Sequence, residues 1–69
     1  MSELVITVNG DTQVVPHPST LEDLLGQLDL DPRGVVVELN REIVRRARLG
    51  ETWLANGDTV EIVHFVGGG

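Results

Sequence analysis

The residues with the clearest chemical potential in this sequence are its last three, Gly67, Gly68 and Gly69. Glycine has no Cβ, so such a run can pass through a slot too narrow for any side chain. At ~3.3–3.6 Å per extended residue, three glycines reach about 10 Å beyond whatever element carries them. That is the depth needed to set a terminal carboxylate inside another protein's active site. A frayed, inert end fits the same three residues.

The rest of the chain holds little that reacts. It has no cysteine, no tyrosine and no lysine. Hydrolysis or group transfer requires a nucleophile with a base in reach, paired acids in a cleft, or a metal. His17 lies between two prolines and His64 near the other end, without the spacing of zinc ligands. Asp29 and Asp31 resemble the opening of a calcium loop, but Pro32 follows and no bidentate glutamate stands where the loop must close. Gly67 to Gly69 follow a strand pattern and precede no helix, so they are not a phosphate-cradling turn. This composition points to a chain that other proteins act upon, not to an enzyme.

The elements must therefore present the tail. Sixty-nine residues make one domain, near the lower limit for a core without staples. The formal charge of −6 argues against nucleic acid and favours an electropositive protein partner. The longest apolar runs are three residues, such as Leu4–Ile6, so neither a signal peptide nor a membrane span is expected. A cytoplasmic location is the expectation.

Leu4, Ile6 and Val8 alternate with Glu3, Val5 and Thr7 as in a half-buried strand, and Asn9-Gly10 is a hairpin turn signal. The return strand, Asp11 to Val15, ends at Pro16-His17-Pro18 and belongs at a sheet edge. Ser19 and Thr20 each precede an acid by three residues, Glu22 and Asp23, the capping-box spacing. Leu21, Leu24, Leu25 and Leu28 then form one helical stripe. Val35, Val37 and Leu39 predict a third strand, and Ile43-Val44 a stub of a fourth. Arg45 to Trp53 has no clean period and carries the basic cluster Arg45, Arg46 and Arg48, read as a solvated face or an acidic-partner contact. Leu49, Trp53 and Leu54 are candidates to anchor that segment over the core.

After Asn56-Gly57-Asp58, the last strand sends Val60, Ile62, His64 and Val66 to one face. His64 is expected packed or half-buried, and the opposite face receives Val63 and Phe65. One helix covers only one face of a sheet, so Val63 and Phe65 would lie open, and Val36 would join them if the third strand neighbours the last. The chain thus reads as an α+β domain with a mixed sheet of four to five strands and one main helix packed on one face. The final strand is expected centrally, parallel to the first. The domain covers residues 1–66 and a flexible glycine tail residues 67–69.

The hairpin, the capped leucine helix, the Asn56-Gly57-Asp58 turn and a last strand ending in glycines resemble the ubiquitin-like β-grasp superfamily. Within it, the run from Gly57 to Gly69, the turn Asn40-Arg41-Glu42-Ile43-Val44 and Trp53 resemble the ThiS family of bacterial sulfur carriers in thiamine biosynthesis. Arg45 departs from that pattern, standing where many relatives carry proline. The resemblance implies that a ThiF-type adenylating enzyme transfers AMP from Mg-ATP to the Gly69 carboxylate. A persulfide from a cysteine desulfurase system would then give a thiocarboxylate, and a ThiG-type thiazole synthase would accept its sulfur. Gly67 and Gly68 would thread the partner's active site, and Val63, Phe65 and Val36 would form the docking patch. No cofactor is expected on the chain itself. Other readings are the small subunit of molybdopterin synthase, a carrier for tRNA thiolation or protein conjugation, and a passive β-grasp interaction module. The absence of lysine leans against a polymerising tag.

Overall fold

The computed structural model describes residues 2–65. Strands β1 (Glu3–Val8) and β2 (Asp11–Pro16) form the first hairpin, helix α1 (Leu21–Gln27) follows, then β3 (Val35–Leu39), β4 (Glu42–Val44) and β5 (Thr59–His64). The five strands lie in the order β2-β1-β5-β3-β4. β5 is central and parallel to β1, as the sequence suggested, and it pairs antiparallel with β3. β2 stands at an edge, where Pro16 leaves no ladder bond unmade.

Two short turns close the hairpins with both central residues at positive φ. They are Asn9 (49°) with Gly10 (88°), and Asn40 (51°) with Arg41 (74°). Such turns match the right-handed twist of the strands they join. The strained member is Arg41, a long side chain in the left-handed region. Asn40 compensates by binding across to β5: its Oδ1 accepts from Thr59 N at 3.0 Å and its Nδ2 donates to Asp58 Oδ1 at 3.1 Å.

Of the two candidate caps, Thr20 caps α1. Its hydroxyl accepts from Asp23 N at 3.1 Å, and Asp23 Oδ2 accepts from Thr20 N at 2.9 Å. The helix ends as the chain turns left-handed at Asp29 (φ 63°), where Leu30 N donates to Leu25 O and Asp29 N to Gly26 O. That pattern closes the last turn without a glycine.

Leu21, Leu24 and Leu25 of α1 pack on Leu4, Ile6, Val8, Val15, Val35, Val37, Val60 and Ile62 from the inner face of the sheet. The segment without a period becomes a 3-10 helix, Arg46–Glu51, which adds Leu49 to this core, and Leu54 follows. Trp53 does not join them. It bridges Thr20 as extended backbone, and because Leu54 beside it points inward, the indole faces solvent at 61% exposure. His64 is a second departure from expectation. Its strand parity is inward, but the buried part of β5 ends at Ile62 and the imidazole is exposed. Val66, assigned to the same inner face, and the tail Gly67 to Gly69 lie outside the described residues.

Candidate functional site: the outer face of β5 and the root of the tail

The helix and the 3-10 segment cover the inner face, which leaves the outer face of the sheet open to solvent. Val63 and Phe65 are there, 58% and 62% exposed. Val36 is opposite Val63 in the β3–β5 register, half-buried, so the three residues proposed as a patch are brought together as adjoining positions of one surface. Ile43, 67% exposed, belongs to the same face through its pairing with Glu38. Sequence reasoning placed Ile43 only in a strand stub.

Glu38 and Glu61 are also directly opposite one another in this register. Like charges across an antiparallel pair oppose pairing. The two carboxylates border the apolar patch and give this face an acidic rim.

The strand that bears the tail is held at several points. At its start, Asn40 binds Thr59 on the β3 side, and Asp58 Oδ2 accepts from Ala55 N at 2.8 Å. Asn56 Oδ1 accepts from Val5 N at 2.8 Å, tying the preceding turn to β1. At its far end Phe65 N donates to Gly34 O at 2.9 Å. Gly34 closes the short turn Pro32–Gly34, which Asp31 caps by accepting from Arg33 N at 2.9 Å. The Arg33 guanidinium also grips Asp31, Nε to Oδ1 at 3.1 Å and Nη2 to Oδ2 at 2.8 Å. The side-chain and backbone hydrogen bonds from Arg33 hold the Asp31 carboxyl at about 2, below its ordinary range. This two-point ion pair is solvent-exposed, so its value is local rigidity at the tail's root, not bulk stability.

Arg45, Arg46 and Arg48 are all exposed, and the contact formed within the cluster is Arg48 Nη1 to Glu51 Oε1 at 3.4 Å. Among the described residues, no group of three metal-ligating side chains converges and no pocket opens. Gly67, Gly68 and Gly69, the sequence's reactive candidates, lie outside the described residues.

A mixed five-stranded sheet wrapped on one helix, with β5 central and parallel to β1, defines a ubiquitin-like β-grasp domain. A crystal structure of the thiamine biosynthesis protein ThiS from Geobacter metallireducens superposes with a TM-score of 0.81 at 35% identity, covering 96% of this chain and 100% of that one. The ThiS family model matches residues 3–69. The sulfur carrier protein ThiS of Bacillus subtilis is 41% identical over 66 residues, 94% of this chain and 100% of the relative. The chain belongs to the ThiS family, the sulfur carriers of thiamine biosynthesis. It is also 41% identical over 64 residues to the thiazole synthase of Paramagnetospirillum magneticum, spanning 93% of this chain but only 20% of that protein.

Proposed function

We propose that this chain carries sulfur as a thiocarboxylate on Gly69 and delivers it to a thiazole synthase. The observation that carries the reading is that the family match continues through residue 69 and therefore includes the glycine tail. A carboxylate resists substitution because oxide is a poor leaving group. An adenylating enzyme of the ThiF type solves this: a Gly69 carboxylate oxygen attacks the α-phosphorus of Mg-ATP, and pyrophosphate leaves. The terminal sulfur of a persulfide, supplied by a cysteine desulfurase system, then attacks the acyl carbon and displaces AMP. A second thiol cleaves the resulting acyl disulfide and frees the thiocarboxylate. The catalytic groups belong to the partners. This chain supplies the terminus, its aim and the docking face, and is not itself an enzyme.

Val63, Phe65, Val36 and Ile43 provide the apolar contact, since large exposed apolar groups on one face mark an interaction surface. Glu38 and Glu61, with the net charge of −6, steer the encounter toward a basic partner surface. The thiazole synthases that contain a segment similar to this chain support that enzyme as the acceptor. Dependence on an ATP-using partner supports a cytoplasmic location. The test is ATP–pyrophosphate exchange by the adenylating enzyme, with the full chain and with a variant lacking Gly69. Exchange with the first and none with the second is expected. Equal exchange with both would overturn the assignment of Gly69.

A further inference from the structure

The part of β5 that leads to the tail outruns its parallel neighbour. β1 ends at Val8, in register with Val60, whereas β5 continues to His64. Asn9 N still donates to Val60 O at 2.9 Å. The next groups on that side are the N–H and C=O of Ile62, and the Asn9 side chain takes both. Ile62 N donates to Asn9 Oδ1 at 2.7 Å, and Asn9 Nδ2 donates to Ile62 O at 3.1 Å. A primary amide offers one acceptor and two donors in a plane, much as a peptide unit does. One side chain thus stands in for the ladder residue that β1 lacks. It can do so because Asn9 adopts φ 49° and Gly10 φ 88°, which turn the main chain aside and leave the amide pointing along β5. On the opposite side, the last hold among the described residues is Phe65 on Gly34 O.

We infer that Asn9 is a positioning residue for the transfer chemistry, fixing the direction in which β5 leaves the sheet and hence where the carboxylate arrives. The inference rests on the carrier reading above. Four residues follow Phe65 through Gly69, and at ~3.3–3.6 Å each they span roughly 14 Å when extended. On that arm, a tilt of about 10° in the direction of β5 displaces the end by roughly 2 Å. A misplacement of about 1 Å at reacting atoms can cost on the order of a hundredfold in rate. Docking, by contrast, depends on Val63, Phe65 and Val36, whose side chains Asn9 leaves untouched.

Two variants separate the effects. Asn9→Gly keeps a residue suited to positive φ and removes both bonds. Asn9→Asp keeps the acceptor for Ile62 N–H but sets an oxygen against Ile62 O. Amide exchange at Ile62 and steady-state ATP–pyrophosphate exchange with the adenylating enzyme are the readouts. Ile62 is expected to exchange faster in Asn9→Gly. In both variants kcat should fall by roughly tenfold or more, with KM near that of the unaltered chain. A wild-type kcat in the variants, or a loss confined to KM, overturns the inference while leaving the carrier reading intact. Absence of exchange with the unaltered chain overturns the carrier reading and the inference with it. Should Asn9→Gly fail to fold, the kcat of Asn9→Asp decides alone.

Discussion

Phe65→Asp tests whether the outer face of β5 binds partners. Phe65 is 62% exposed and stands outside the buried core cluster, so the folded chain gains little from it. A phenylalanine carries ~150–250 Å² of surface, which leaves roughly 90–150 Å² for a partner to cover. At ~25 cal/mol per Å², complete burial contributes ~2–4 kcal/mol. Partial burial at an interface rim lowers that figure, and a tenfold loss of affinity, ~1.4 kcal/mol, is the floor we expect. Replacement by aspartate adds a charge that would have to be desolvated on binding, so the variant should not fall below that floor. Calorimetric titration against the adenylating enzyme and thiazole synthase measures the loss, and thermal melting of the free variant serves as control. Unchanged affinity for both enzymes would refute the docking assignment. Lower stability with intact binding would show that Phe65 belongs to the fold.

Leu25 is fully buried under α1, and Leu25→Ala should cost ~2–5 kcal/mol by urea unfolding, a large share of the stability of so small a domain. Near-normal unfolding would mean that the helix is not the lid of the core. Gly68→Val should leave melting unchanged and block adenylation, because a β-branched residue stiffens the backbone and fills a narrow channel. Full adenylation of that variant would remove the threading argument. Asp31 is depressed from 3.8 to about 2 by Arg33, so its contribution is complete above 3.8 and lost as pH falls through about 2. Amide exchange at Phe65, slower in wild type than in Asp31→Asn at neutral pH, should therefore converge across that acid window, with little change in global melting. A difference independent of pH would exclude the ion pair as its source.

Much of this was legible because alternation and helical spacing report burial directly. Leu4, Ile6, Val8, Val60 and Ile62 are buried as their parity requires, and the leucine stripe lies on the sheet. The central place of β5, parallel to β1, followed from the apolar character of both strands and the crossover rules. What failed did so where local pattern and tertiary extent differ. His64 has inward parity, yet β5 runs past the core that would cover it. Trp53 has the bulk of an anchor, but Leu54 beside it takes the inward direction. Asn9 read as half of a turn. Its bond to Ile62 joins positions 53 residues apart, and no local pattern announces such a contact. Ile43 is apolar in a three-residue strand too short to show a period.

The central claim is that sulfur resides on the Gly69 carboxylate. Its most direct measurement is intact mass of the chain after incubation with Mg-ATP, the adenylating enzyme and a sulfide source, followed by fragmentation of the product. The account predicts a mass gain equal to exchanging one oxygen for sulfur, confined to the fragment holding Gly69 and dependent on ATP. An unchanged mass, or a sulfur found on any other residue, would contradict it.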